Sequence, residues 1–127
     1  RRILVVVGTR PEAVKMAPVV HALRRAPWAD VRVLATAQHR QMLDQIHAFF
    51  GIRPDRDLDL MRPDQTLVDL TARMLSALDP VLGDEHPDLV LAQGDTTTVM
   101  VSALACFYRK IAFGHVEAGL RTGDAYN

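Results

Sequence analysis

A chain of 127 residues, 49% hydrophobic and 24% charged, is long enough for one domain with a real core and too short for several. Formal net charge is zero and the basic residues form no long stripe, so composition makes no case for a nucleic-acid or membrane partner. One cysteine, Cys106, excludes an internal disulfide and suits a reducing compartment.

Residues 3–7 are apolar and mostly β-branched, which predicts a strand covered on both faces. Behind Arg1-Arg2 this run is too short for a signal peptide, and no other segment has the length of a membrane span. The run stops at Gly8, and Thr9-Arg10-Pro11-Glu12 predicts a tight turn into a helix, with Thr9 as cap and Pro11 in the first turn. Val14, Ala17, Val20, Leu23 and Ala26 recur at helical spacing, and Pro18 is expected to kink or split the helix. Residues 31–36 predict a second strand. Met42, Ile46, Phe49 and Phe50 predict a second helix, with Gly51 placed to stop it. Asp57-Leu58-Asp59-Leu60-Met61 alternates as a short strand would.

A long helix follows through Leu67, Leu70, Met74, Leu78 and Val81, with a break over residues 83–87. Residues 88–93 predict a strand that ends at Gly94-Asp95-Thr96-Thr97-Thr98. Residues 99–107 predict a helix apolar almost all round, and so buried; Cys106 and Phe107 are read as core. Residues 111–116 predict a last strand, ending at Glu117. Strands and helices alternate about every thirty residues, as βαβ units of a parallel sheet do. With no helix after the last strand, the natural protein is expected to continue beyond Asn127.

Ligands of an open parallel sheet sit outside the carboxyl ends of its strands. Those ends carry Arg10, Lys15, Gln38, His39, Asp95, His115 and Glu117. A helix start collects unpaired N–H groups and the positive end of a dipole, so Arg10 and Lys15 beside it suit a phosphate or other anion. The alternatives are solvated surface cations or a salt bridge to Glu12. The turn is neither a Walker A loop nor a G-x-G-x-x-G. Asp95 is either a helix cap or a carboxylate aimed into the cleft. Glu117 either pairs with Arg121 or acts with Asp95 as an acid and base. His115, two residues before Glu117, shares its face as a wall residue or a proton carrier. No Cys/His spacing resembles a zinc site.

Four stretches carry a family resemblance: Gly8 to Pro18, Thr36-Ala37-Gln38-His39-Arg40, Gly94-Asp95-Thr96-Thr97-Thr98, and Gly114 to Thr122. In that order they resemble the motifs of the UDP-N-acetylglucosamine 2-epimerases of the bacterial, non-hydrolysing type. The resemblance implies an α/β fold, a Rossmann-like parallel sheet with flanking helices, as the N-terminal half of a GT-B-like two-domain enzyme. Residues 1–127 would then be an incomplete first domain, with the second nucleotide-binding domain elsewhere. It implies reversible epimerisation of UDP-GlcNAc to UDP-ManNAc through elimination of UDP, 2-acetamidoglucal and re-addition, with no nicotinamide or metal. By position, Asp95 and Glu117 match carboxylates assigned to acid–base work at C2 or to holding the sugar, and Arg10 and Lys15 match residues that contact substrate or departing UDP. Gln38 and Gln41 match positions of an allosteric UDP-GlcNAc site. An arginine that some members use there is replaced by Asp64. The resemblance further implies a cytoplasmic homodimer serving cell-envelope polysaccharide, with residues 99–107 and the helix after Gln65 as candidate dimer surfaces. A hydrolysing epimerase, or a non-catalytic anion-binding module, remains the alternative.

Overall fold

The computed structural model describes residues 1–36, 44, 51–60, 62–93 and 97–116. The order of elements is β1 (Arg2–Val7), α1 (Arg10–Arg24), β2 (Asp30–Ala35), β3 (Arg56–Asp57), α2 (Leu67–Glu85), β4 (Leu89–Gln93), α3 (Thr97–Arg109) and β5 (Ala112–Val116). The five strands form one parallel sheet in the order β3-β2-β1-β4-β5. The helix predicted over Met42 to Phe50 lies outside the described residues, apart from Asp44. Gly51, placed to stop it, has a φ of +67°, the left-handed conformation expected at such a stop.

β1 is the spine. It pairs with β2 from Arg2↔Asp30 to Val7↔Ala35 and with β4 from Ile3↔Leu89 to Val6↔Ala92. Side chains alternate across a strand, so β1 feeds two cores. Ile3, Val5 and Val7 pack with Ala13, Met16, Ala17 and Val20 of α1. Leu4 and Val6 pack on the other face with Met74, Leu78, Val81 and Leu82 of α2 and Val101, Ala105 and Cys106 of α3. Burial on both faces accounts for the absence of polar residues in the run.

α1 runs unbroken through Pro18, contrary to the expected kink or split. A proline inside a helix costs about 3 kcal/mol. Fully burying Met16 and Val20 contributes about 1.5–3 kcal/mol each, which outweighs it, and Pro18 lies on the exposed face. Pro80 is carried by α2 in the same exposed manner. The buried stripe of α1 runs through Ala13, Met16, Ala17 and Val20, while Val14, expected on it, is exposed.

α2 also passes the predicted break. It continues through Gly83 to Glu85 and stops at His86, whose left-handed backbone (φ 49°, ψ 53°) ends the helix while its N–H donates to the Leu82 carbonyl. Gly83 serves packing instead: a Cβ there would lie 3.1 Å from the Arg109 guanidinium, which is ion-paired with Asp79. β3 is shorter than the strand expected over residues 57–61. Asp59 has a positive φ of 49°, although the Leu58 and Leu60 N–H groups still donate to Ala35 and Thr36.

α3 corrects a further expectation. It buries Thr98, Val101, Ser102, Ala105 and Cys106, but Met100, Phe107 and Tyr108 are exposed, Phe107 by 75%. An apolar pattern all round a helix shows that its faces suit burial. It does not show that this chain covers them all. No helix among the described residues is long and apolar enough to cross a membrane.

Candidate functional site

The strand order 3-2-1-4-5 places a topological switch between β1 and β4, where the chain leaves β1 toward one side of the sheet and later returns to the other. In open α/β sheets the crevice at such a switch, beyond the carboxyl ends, takes the ligand. Four described segments reach this edge: Gly8-Thr9-Arg10 after β1, Thr36 after β2, Thr97-Thr98 opening α3, and His115-Val116 closing β5.

The turn after β1 is built by its own sequence. Thr9 is the N-cap of α1, with its hydroxyl accepting from the Glu12 N–H at 3.4 Å. Glu12 reaches back, and its Oε1 accepts from Gly8 N–H at 2.7 Å and from Thr9 N–H at 3.2 Å. This is a capping box, and Pro11 supplies a first-turn residue with no N–H to satisfy. The expectation of a helix start rich in unpaired donors is therefore corrected. The Gly8, Thr9, Glu12 and Ala13 N–H groups are held within the protein, which leaves the Arg10 N–H and the neighbouring side chains to meet an anion here.

Those side chains are present. Arg10 and Lys15 are both exposed, and neither forms an ion pair with a described residue. The salt bridge to Glu12 does not form, because that carboxylate is turned onto the backbone. Two cations without an ion pair among the described residues, one at the start of α1 and one a turn further on, give the edge a positive field suited to an anion.

Beneath the turn lies a polar floor. Thr36 is fully buried, and its hydroxyl donates to the Val7 carbonyl at 3.4 Å and lies 3.5 Å from the Thr98 hydroxyl. A Cβ on Gly8 would meet Thr98 Oγ1 at 2.3 Å, Thr36 Oγ1 at 3.1 Å and Glu12 Oε1 at 3.2 Å. Only glycine lets these groups close around the end of β1. Glu12, Thr36 and Thr98 were not singled out by sequence as site residues. The Thr9-x-x-Glu12 spacing is the signal that could have revealed Glu12; nothing local marks the two threonines.

His115 is exposed at the end of β5, in register with Ala92 of β4. Asp95, Glu117, Gln38 and Gln41 lie outside the described residues. Cys106 is buried in α3, and burial pushes its thiol up to about 11, which agrees with its reading as core. Among the described residues no group of three or more His, Cys, Asp or Glu side chains could hold a metal ion.

Comparison with known proteins places this geometry. The family described as UDP-N-acetylglucosamine 2-epimerase matches residues 21–127. The chain is 56% identical over 126 residues to the UDP-N-acetylglucosamine 2-epimerase of Salmonella typhimurium, covering 99% of this chain and 34% of that protein. Among solved structures, it resembles the Neisseria meningitidis UDP-GlcNAc 2-epimerase bound to UDP-GlcNAc, with 50% identity and a TM-score of 0.86 over 99% of this chain and 34% of that one. It also resembles the Methanocaldococcus jannaschii enzyme in complex with UDP-GlcNAc and UDP, with 34% identity and a TM-score of 0.84 over 98% of this chain and 34% of that one. The chain spans about a third of the length of the curated relatives it matches. Its fold is that of the N-terminal half of a GT-B-like architecture.

Proposed function

This chain belongs to the UDP-N-acetylglucosamine 2-epimerase family, and from that premise we propose that the protein carrying it interconverts UDP-GlcNAc and UDP-ManNAc without net hydrolysis. One of Asp95 and Glu117 takes the proton from C2. The C1–O bond to UDP breaks, its electrons leave with the diphosphate, and a C1=C2 double bond forms in 2-acetamidoglucal. UDP then adds back at C1 while a proton returns to the opposite face of C2. Arg10 and Lys15 meet the diphosphate as charge builds on it, where fixed cations lower the barrier most. His115 forms part of the wall. The observation that carries this reading is the pair of exposed cations at the sheet edge, Arg10 and Lys15, without an ion pair to any described residue.

Residues 1–127 form the first Rossmann-like domain in this reading, and the nucleotide's other contacts come from a second domain. Gln38 and Gln41 belong to a second, regulatory UDP-GlcNAc site. The protein works in the cytoplasm as a homodimer serving cell-envelope polysaccharide, and the exposed apolar side chains Leu67 and Val68 of α2 and Met100, Phe107 and Tyr108 of α3 suit the dimer contact.

Incubating the full-length protein with UDP-GlcNAc in deuterated water tests the reaction. UDP-ManNAc carrying deuterium at C2 is expected; absence of both product and label rejects it, and free ManNAc with stoichiometric UDP identifies hydrolysis. Asp95→Asn and Glu117→Gln should each lower C2 exchange by about a hundredfold or more with the fold retained. Near-normal exchange in both variants would return these residues to capping and ion pairing.

A further inference from the structure

Glu12 is held more deeply than a capping box requires. The box needs a bond from the helix's third residue to the N-cap N–H, here Thr9 at 3.2 Å. The shorter bond, 2.7 Å, goes to Gly8, one residue nearer the strand. The carboxylate is thereby drawn into the sheet edge, where Glu12 is 3% exposed and its Oε2 is buried with no hydrogen-bond partner among the described residues. Burying a carboxylate oxygen unpaired opposes stability, so helix capping alone does not account for this placement.

Its geometric effect is on the backbone before Arg10. Gly8 is enclosed by Glu12 Oε1, Thr36 Oγ1 and Thr98 Oγ1, and the Thr9 N–H is bound to the same carboxylate oxygen. The two residues preceding Arg10 are thus bound to α1 through Glu12, and Gly8 is packed against Thr36 at the end of β2 and Thr98 at the start of α3, while the Arg10 side chain is exposed.

We infer that Glu12 is a positioning residue: by gripping the Gly8 and Thr9 N–H groups it fixes the direction from which Arg10 meets the departing diphosphate. The inference rests on the epimerase reading for what Arg10 meets, and on geometry alone for the grip. The grip is made by one acceptor oxygen, not by the charge. Glutamine, whose Oε1 can accept both bonds, should replace Glu12, whereas alanine should not.

The test uses the full-length protein with Glu12→Gln, Glu12→Ala, Arg10→Ala and the double variant Arg10→Ala/Glu12→Ala. Glu12→Ala should lower kcat for C2 exchange by about a hundredfold with KM little changed, as misplacing a group by about an ångström does. Glu12→Gln should stay within about threefold of the parent. In the Arg10→Ala background, adding Glu12→Ala should cost less than about twofold, because residues acting through one another are not additive. Equal losses in both backgrounds, or Glu12→Gln as impaired as Glu12→Ala, would overturn the inference. Amide hydrogen exchange reads the grip without turnover: Gly8 and Thr9 should lose protection in Glu12→Ala while Leu4 to Val6 keep theirs. Protection unchanged at Gly8 and Thr9 also overturns it. If the parent protein exchanges no C2 hydrogen, the epimerase reading fails by itself, and amide exchange still decides the grip.

Discussion

Glu12 and Glu85 are the same residue type, buried to nearly the same degree at 3% and 4% exposure, and the protein uses them in opposite ways. Glu85, at the end of α2, faces three guanidinium groups. Arg56 Nε approaches at 2.6 Å, Arg32 Nε at 3.1 Å and Arg2 Nη1 at 3.2 Å. Asp30, Asp55 and Asp84 pair with the same arginines from outside. One carboxylate thus ties α2 to β1, β2 and β3. Glu12 pairs with no cation among the described residues. It binds backbone N–H groups and leaves Arg10 and Lys15 without an ion pair to a described residue. Where the molecule is fastened, arginines are neutralised by carboxylates. At the carboxyl edge, the neighbouring carboxylate is turned away and the cations face solvent.

Removing Glu85 should produce the largest change. Glu85→Ala leaves three arginines around an empty centre and is expected to cost about 3 kcal/mol. This is the low end of the range for breaking a buried pair, because the arginines are each about a third exposed. Urea denaturation of the full-length protein measures it, and a cost below about 1 kcal/mol would erase the contrast with an ordinary surface pair. Gly8→Ala comes next. Its Cβ would sit 2.3 Å from Thr98 Oγ1, so about 1–3 kcal/mol of overpacking is expected. Thr98→Ala in the same chain should recover most of that loss; Thr98→Val should not, because it leaves an atom in the same place. Little loss in Gly8→Ala would show that the floor of the site yields, and failure of the alanine to rescue would move the clash from Thr98 to Thr36 or Glu12.

The smallest effect is on acid stability. Burial pushes the Glu85 carboxyl up, but hydrogen bonds from Arg32 and Arg56, with their charges, outweigh this and hold it below the usual glutamate value. A carboxyl lowered on folding binds its proton less readily in the native state than in the unfolded chain. Its contribution is therefore complete above the unfolded glutamate pKa and is lost as pH falls through the lowered folded value. Glu85→Gln should flatten that part of the acid limb in pH-dependent denaturation. An acid limb unchanged by Glu85→Gln would contradict the assignment.

The strands were legible because residues 3–7, 31–36, 88–93 and 111–116 are mostly apolar and bounded by polar or turn residues; burial follows that pattern fully in β1, partly in β2 and β4, and not in β5, where Ala112 and His115 are exposed. The helices were legible in position but less so at their ends. Pro18 and Gly83 are local signals for breaking a helix, and both are overridden by packing that only the tertiary structure supplies. Phe107 was misread for the converse reason, since periodicity records an apolar face without recording what covers it. At the edge, Arg10 and Lys15 were legible as charges beside a turn. The Glu12 carboxylate was harder to read, because a charge next to arginine and lysine suggests an ion pair. Its choice of Gly8 and Thr9 depends on how the turn leaves β1.

The two glutamates also differ in how far along the chain their partners lie. Glu12 joins residues three and four positions away, so its bonds need no more than the stretch from Gly8 to Ala13 and can close as soon as that stretch has been made. Arg2 lies 83 positions from Glu85, and Arg32 lies 53. During synthesis, three arginines laid down early must wait for a carboxylate that arrives after two-thirds of these residues have been joined. The turn that presents Arg10 is therefore complete in its own local contacts long before the fastening at the opposite end can exist.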